Sequence, residues 1–370
     1  MQMDHFIKKD DSKALYGIAI LLMIFHHCCA FPSRLGYNYT PVFGDFDIES
    51  GIAYFGKICV AVYAFITGYA LAAKAEKVRP DNLPERFKTD VFISFRQLLR
   101  FYKKFWLVFL IFVPIGIAFF DAPYSPGSLI KGFFFGIKEY NGEWWYVLQY
   151  IEFLIVFPFL DVFLNLLNNK KTRIYAFVIT VILLAAVFIF GKVPQISAVK
   201  ARSVGLRNYF VPEYMIIFIT AFLIKTYGVF EWADSTIPNN PAGIIITGCI
   251  LVSVFFIRWL YVDTPRPDDI DVFITPFFVF SCVRLFNLKG AKRFVKPALT
   301  FLGTYSTYMW LVHTFWIYYY FPKVILLPKF SVLIFLWAAA ISLLNAILLD
   351  RLQSALEQFI LRRKSFIRSN

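Results

Sequence analysis

The sequence predicts an all-α protein, a polytopic bundle of about ten helices that cross a membrane. Hydrophobic residues make up 59% of the 370 residues, and the mean hydropathy is +0.62. Charged residues make up only 17%, whereas roughly 25% is usual in a soluble domain. This composition excludes a soluble globular enzyme, a disordered chain and a secreted disulfide scaffold.

Apolar runs long enough to cross a membrane recur along the whole chain. A helix that crosses hydrocarbon of about 30 Å needs about 20 mostly apolar residues. We predict ten such helices, near 14–31, 52–73, 105–120, 144–167, 174–191, 209–229, 242–262, 272–286, 298–320 and 331–349. The eighth is short and contains Pro276 and Arg284, which is typical of a broken or tilted segment. The segment 127–137 is too short to span and is typical of a re-entrant or interfacial piece. Pro80 and Pro84 predict a surface loop over 75–95.

The distribution of Lys and Arg predicts how these helices are oriented. With the N-terminus in the cytoplasm, 25 of the 38 basic residues lie in inside segments and 10 in outside loops. Both termini are then cytoplasmic, which agrees with an even number of helices. The loop 192–208 fits less well, because it places four basic residues and no acidic one outside. That loop is open to two interpretations, contact with an anionic polymer or an error in the topology.

Net charge and cysteine content indicate which binding partners to expect. The formal net charge of +14 would favour nucleic acid in a soluble protein, but in a membrane protein basic loops facing anionic lipid explain it. We therefore expect membrane lipid as a partner and no nucleic acid. The five cysteines lie in apolar runs without metal-site spacing, so we expect buried small hydrophobes and no metal. We expect one integral membrane domain over 1–370, with no cleavable signal peptide and no fused soluble domain.

Ionisable residues within the spans are candidate functional residues, because each costs about 2.5–3.5 kcal/mol at the centre of a bilayer on insertion scales. The candidates are His26, His27, Lys57, Glu152, Glu213, Arg258, Arg284 and His313.

The first helix concentrates several of these features on one stripe. At 100° per residue, Lys13, Tyr16, Met23 and His27 lie close to one line, which extends about 21 Å from Lys13 to His27. His26 points about 100° away. The stripe is compatible with the lining of a pore, and equally with imidazoles that satisfy backbone carbonyls between helices.

Five segments in order resemble acyltransferase family 3 membrane proteins. KALYGIAILLMIFHH (13–27) resembles the first helix of that family, and GKICVAVYAFITGYALA (56–72) its second-helix motif. FRQLLRFYKKFW (95–106) is similar to its basic cytoplasmic motif. EWWYVLQYIEFLIVFPFL (143–160) and LGTYSTYMWLVHTFW (302–316) resemble its Trp-rich and late Ser-Tyr…His segments.

The resemblance implies transfer of an acyl group, most often acetyl, from acyl-CoA to a hydroxyl of a cell-surface polysaccharide or glycolipid. It implies a multi-pass protein of the plasma membrane, with acetyl-CoA or another acyl-CoA as donor substrate. His27 aligns with the catalytic His of the family, with His26 in a supporting role. The family's Arg falls on Tyr16, and Lys13 is the candidate to replace it. A neutral imidazole suits the task of taking a proton from a sugar hydroxyl.

Donor-binding and acceptor-binding residues follow from the same resemblance. The basic motif retains Arg96 and Arg100, although its middle Arg falls on Gln97. Lys103 and Lys104 could hold CoA phosphates by charge-assisted hydrogen bonds, or could be inside-facing membrane anchors. The candidates for acceptor binding are Trp144, Trp145, Glu152, Ser306, Tyr308 and His313. An aromatic belt explains the two tryptophans equally well, and packing explains the residues of the late helix.

Two classes of protein other than an enzyme are also compatible with the sequence. A transporter or flippase of glycan precursors would also use a polar stripe within about ten helices, but no internal repeat or matched pair of interrupted helices is visible. A polysaccharide polymerase usually has a large outer loop, and the sequence predicts only a modest one at 121–143.

Overall fold

The computed structural model describes residues 5–78, 80, 82–136, 140–166, 211–262 and 267–369. Within those ranges the chain is helical, and its only extended pairing is an isolated parallel bridge between Thr40 and Phe330. The predicted all-α class is confirmed.

The helices fall into two groups along the chain. The first group is α1 (Lys9–Cys29), α2 (Phe46–Tyr54), α3 (Ile58–Lys77), α4 (Leu83–Phe119), α5 (Pro126–Phe135) and α6 (Tyr146–Leu166). The second group is α7 (Pro212–Tyr227), α8 (Val229–Thr236), α9 (Pro241–Leu260), α10 (Asp271–Phe286), α11 (Lys289–Arg293), α12 (Val295–Thr314), α13 (Pro322–Ile325) and α14 (Ser331–Ser369). Short 3₁₀ turns occupy Pro32–Leu35, Phe55–Lys57, Gly142–Trp145 and Pro267–Ile270, and a π-helical turn occupies Phe315–Tyr319.

Several of these helices can cross a membrane. By length and hydropathy, six helices of the described part qualify, or seven if the bent pair α7 and α8 forms one span. The polytopic bundle is therefore confirmed, whereas the count of ten stays a prediction. The predicted span 174–191 and the basic loop 192–208 lie outside the described residues.

Two helices are much longer than the sequence indicated. The predicted loop over 75–95 was wrong for most of its length, because α4 begins at Leu83 and continues for 37 residues. Pro84 lies in the first turn, where no backbone donor is needed, and the Asn82 side chain caps the helix by accepting from the Glu85 N–H. At the other end of the chain, α14 continues far beyond the predicted span, to Ser369.

Helices α5 and α10 correspond to the two segments whose ability to span was in question, 127–137 and 272–286. α5 has ten residues, which is too short to span. α10 is continuous through Pro276 rather than broken there. Four of the five cysteines are buried as expected, whereas Cys249 on α9 is exposed, so the expectation of burial was wrong for that residue.

Helix α1 lies at the centre of the bundle and packs against α3, α12 and α14. Glycine permits the closest of these contacts. A Cβ added to Gly303 would lie 1.8 Å from the Lys13 carbonyl oxygen, and one added to Gly17 would lie 2.0 Å from the Leu299 carbonyl oxygen. Small residues let membrane helices approach backbone to backbone. These two glycines therefore fix how α1 and α12 are positioned against each other.

Three of the eight ionisable residues that the sequence placed inside spans, Lys57, Arg258 and Arg284, are held in ion pairs. Arg258 on α9 pairs bidentately with Asp271 on α10, at 2.7 and 3.0 Å. Lys57 contacts Asp268, and Arg284 contacts Asp234. Pairing of this kind satisfies intramembrane charge, so Arg258 and Arg284 stabilise helix contacts.

Candidate active site

Two cavities open between the helices around α1. The larger, here called the basic cavity, has a volume of about 650 Å³ and lies between α1, α3, α4, α6, α12 and α14. Its charged lining consists of four cations and one carboxylate, namely Lys13, Arg100, Lys103, Lys104 and Glu357. A surplus of cations on a membrane protein favours an anionic ligand.

The smaller cavity, here called the histidine cavity, has a volume of about 80 Å³. Its lining residues are Met23, His26, His27, Lys57, Cys59, Val60, Tyr63, Glu143, Trp145, Tyr146 and Trp310. The first-helix stripe therefore serves both cavities. Lys13 and Tyr16 line the basic cavity, and Met23 and His27 line the histidine cavity.

Three aromatic residues are common to the linings of the two cavities. Tyr63, Tyr146 and Trp310 line both of them. The ring centroids of Tyr146 lie 6.5 Å from Tyr63 and 5.8 Å from Trp310. The basic cavity and the histidine cavity therefore meet at one aromatic junction.

His27 is buried, and each of its ring nitrogens lies near one polar side chain. The Tyr318 hydroxyl donates its proton to the His27 backbone carbonyl and lies 3.4 Å from His27 Nδ1. Because a hydroxyl has one proton to donate, its oxygen can only accept at Nδ1. This contact is compatible with the tautomer that carries the proton on Nδ1 and leaves a lone pair on Nε2.

A carboxylate lies beside that lone pair. Glu143 Oε2 is 3.8 Å from His27 Nε2, and Glu143 Oε1 is 3.6 Å from a guanidinium nitrogen of Arg34. The same guanidinium lies 3.6 Å from the centroid of the Tyr318 ring. Arg34 therefore contacts both partners of His27, which are Glu143 and Tyr318. The carboxylate can stabilise an imidazolium once Nε2 takes a proton.

The two other histidines near His27 have backbone partners. His26 Nδ1 lies 3.1 Å from the Ala53 carbonyl oxygen, which links α1 to α2. His313 Nδ1 lies 2.8 Å from the Trp310 carbonyl oxygen, and its Nε2 is buried without a hydrogen-bond partner in the described part of the chain. The rings of His27 and His313 are 5.1 Å apart between centroids. The structure thus brings His26, His27 and His313 together.

The remaining acceptor candidates are spread over different surroundings. Trp145 lines the histidine cavity and stacks on Tyr214, with ring centroids 5.8 Å apart. Trp144 lies apart from that lining, fully buried, and its indole N–H donates to the Leu311 carbonyl. Glu152 lies further along α6, where it accepts from Gln149.

Two further candidates on α12 lie towards the basic cavity. Ser306 lines this cavity, and its hydroxyl donates to the Gly303 carbonyl. Tyr308 donates to Gln353, and its ring lies 4.9 Å from Lys104 Nζ.

The basic motif on α4 contributes three of its cations to the basic cavity. Arg100, Lys103 and Lys104 line the basic cavity, as does Gln97, which accepts from Arg100 at 3.4 Å. Lys103 also pairs with Glu357 at 2.8 Å. Arg96 lies outside this lining, with its guanidinium 4.5 Å from the Phe92 ring centroid. Of the two arginines of the motif, Arg100 therefore lines the cavity and Arg96 lies one turn outside it.

Sequence reasoning missed Glu143, Arg34 and Tyr318 as site residues. Glu143 stands at the start of the Trp-rich segment, and an acidic residue at the mouth of a span was the only available signal. The sequence identifies Lys57 as an intramembrane cation, but its position in the histidine cavity depends on the fold. Among the described residues, no group of three His, Cys, Asp or Glu side chains could hold a metal ion.

Comparison with protein families shows the family to which the chain belongs. The family model described as an acyltransferase domain matches residues 13–351, nearly the whole chain. Together with the apolar helices, this match defines the protein as a multi-pass membrane acyltransferase. The chain belongs to acyltransferase family 3, as the five sequence segments predicted. Comparisons with curated proteins and with solved structures gave no match.

Proposed function

We propose that this acyltransferase moves an acetyl group from acetyl-CoA in the cytoplasm to a hydroxyl of a polysaccharide or glycolipid outside the cell. In this proposal residues 1–370 form one integral domain of the plasma membrane, with both termini in the cytoplasm. His27 is the general base, and CoA itself does not cross the membrane.

One observation carries the proposal, the meeting of two unlike cavities at a single junction. The basic cavity supplies cations next to Lys13 and α4, where the Lys and Arg bias places the cytoplasm. The histidine cavity lies towards the other end of α1 and holds a base beside a carboxylate. A donor with an anionic head and a reactive thioester end fits that arrangement.

The residues of the basic cavity suit the phosphate groups of CoA. Arg binds phosphate through two parallel N–H donors, and Lys binds it as a point charge. Arg100 and Lys104 lie on one cavity wall within two turns of α4. They can therefore address neighbouring phosphates of one bound molecule.

The size of the histidine cavity favours a short acyl group. An apolar cavity of about 150 Å³ accommodates benzene, which has six heavy atoms. The histidine cavity has about half that volume, and an acetyl group has half as many heavy atoms. We therefore expect turnover to fall as the acyl chain of the donor lengthens beyond acetyl.

The contacts of His27 support general-base chemistry. The sugar hydroxyl gives its proton to His27 Nε2 while its oxygen attacks the thioester carbonyl carbon. The new C–O bond forms, the C–S bond breaks, and the CoA thiolate leaves towards the basic cavity. Glu143, 3.8 Å from Nε2, stabilises the imidazolium, and the proton then passes to the thiolate or to water.

Removing the cations of the basic cavity tests its assignment to the donor. We expect Arg100→Ala and Lys104→Ala each to weaken acetyl-CoA binding by about 10- to 100-fold, because a hydrogen bond to a charged group contributes about 1.5–3 kcal/mol. Binding would be measured by calorimetry on the purified protein in detergent.

Two variants on the same helix control this experiment. Lys88→Ala removes an exposed cation of α4 that lies outside the cavity, so its affinity for acetyl-CoA should match that of the wild type. Arg96→Ala removes the cation one turn before Arg100, which lies outside the cavity lining. Unchanged affinity in both Arg100→Ala and Lys104→Ala would contradict the assignment, and a loss confined to Arg96→Ala would move the donor to the preceding turn of α4.

A further inference from the structure

Two tyrosines at the junction of the cavities have buried hydroxyl groups. The hydroxyl oxygens of Tyr63 and Tyr146 are buried, and neither makes a hydrogen bond of normal geometry within the described part of the chain. Ser306 is the polar neighbour of Tyr63. A buried donor left unpaired costs about 1–3 kcal/mol, so both hydroxyls require an explanation.

The rings of both tyrosines are held by packing. Tyr146 contacts Phe153 and Trp310 edge-on, with ring centroids 6.2 and 5.8 Å away. Tyr63 stacks on Tyr16, with centroids 5.2 Å apart. Side chains fixed in this way place their hydroxyls without further ordering when a ligand arrives, which is the condition for efficient electrostatic stabilisation.

The junction is also where the reacting carbonyl must lie. A thioester that reaches from the basic cavity to His27 passes between the residues common to both cavities, which are Tyr63, Tyr146 and Trp310. Tyr146 offers an O–H donor that makes no hydrogen bond within the described part of the chain, and Tyr63 offers a second O–H group with Ser306 as its polar neighbour.

We propose that Tyr146, with Tyr63 beside it, forms the oxyanion hole of the reaction by donating hydrogen bonds to the thioester carbonyl oxygen. This inference rests on the proposed function. As the sugar oxygen bonds to the carbonyl carbon, the C=O electron pair moves onto the carbonyl oxygen, where the two hydroxyls stabilise the negative charge. When the C–S bond breaks, the carbonyl re-forms and the CoA thiolate departs, so both tyrosines keep their protons.

Removal of each hydroxyl tests the inference. We expect Tyr146→Phe to lower kcat for acetyl transfer by about 10²- to 10³-fold, as for loss of one oxyanion donor, with little change in the KM for acetyl-CoA. Tyr63→Phe should lower kcat in the same way but less, because Ser306 lies near it. Because neither hydroxyl makes a hydrogen bond of normal geometry among the described residues, thermal stability should be equal to or above that of the wild type.

Tyr39→Phe is the matched control. The Tyr39 hydroxyl is also buried without a hydrogen-bond partner among the described residues, but Tyr39 lines neither cavity. Its kcat should equal that of the wild type.

The kcat, KM and stability of Tyr146→Phe together decide whether these hydroxyls form an oxyanion hole. A fall in kcat for Tyr146→Phe with retained KM and stability supports the oxyanion hole. Wild-type kcat, a rise in KM alone, or a loss of activity together with stability in Tyr146→Phe overturns it while the proposed function stands. If wild-type protein transfers nothing from acetyl-CoA, the proposed function fails and this inference fails with it.

Discussion

Replacing His27 by Gln is expected to reduce acetyl transfer by about 10²- to 10⁴-fold, the usual contribution of a positioned general base. This corresponds to about 3–5 kcal/mol of activation free energy. Gln keeps a hydrogen-bonding side chain of similar reach but cannot take a proton at neutral pH. Acetyl-CoA binding should remain, because His27 lines the histidine cavity rather than the basic one.

His26→Gln is the natural control for this variant. His26 Nδ1 faces the Ala53 carbonyl at 3.1 Å, and a Gln amide can donate to the same oxygen. We therefore expect a much smaller loss of kcat. Wild-type turnover in His27→Gln combined with loss of turnover in His26→Gln would exchange the two roles. Wild-type turnover in both would make the histidines structural and would refute general-base catalysis by this helix.

Breaking the buried pair between α9 and α10 should have the largest effect on stability. Arg258 is 1% exposed and Asp271 is fully buried. Asp271→Ala leaves a buried guanidinium without its bidentate partner, which costs about 3–5 kcal/mol in comparable pairs. Arg258 also donates to the Tyr54 carbonyl at 2.6 Å, so the loss should loosen the contact with α2 as well.

Thermal unfolding in detergent, followed by loss of the monodisperse protein, measures this effect. The double variant Arg258→Met with Asp271→Leu removes both charges and should recover much of the stability, because apolar replacements of buried pairs are often well tolerated. Asp47→Asn, an exposed carboxylate on α2, should leave the unfolding temperature unchanged. An unfolding temperature for Asp271→Ala close to that of the wild type would show that the pair does not hold α9 to α10.

The helical bundle was predictable because apolar length is a strong signal in a membrane. The boundaries were not, since they depend on local capping and on tertiary packing. The charged first turns of α4 predicted a loop, yet Arg86 forms a buried pair with Asp161 on α6, and Asn82 caps the helix. A distant partner stabilises helix in a segment whose own composition favours the surface.

The candidate site was predictable along α1 but not across the bundle. Helical periodicity places Lys13, Tyr16 and His27 on one stripe, and the structure places them in the linings of two adjacent cavities. Glu143 comes close to His27 because the Gly142–Trp145 turn contacts the Pro32–Leu35 turn through the pair of Glu143 and Arg34. Proximity between segments as far apart in sequence as His27 and Glu143 has no local pattern.

Transfer across a sealed membrane tests the central claim most directly. Purified protein would be reconstituted into liposomes, with labelled acetyl-CoA enclosed on one side and the glycan acceptor supplied only on the other. We predict that label appears on the glycan while CoA stays in the compartment of the donor, and that His27→Gln abolishes this transfer. Acetylation that occurs only when donor and acceptor share one compartment would contradict a reaction joined through the two cavities.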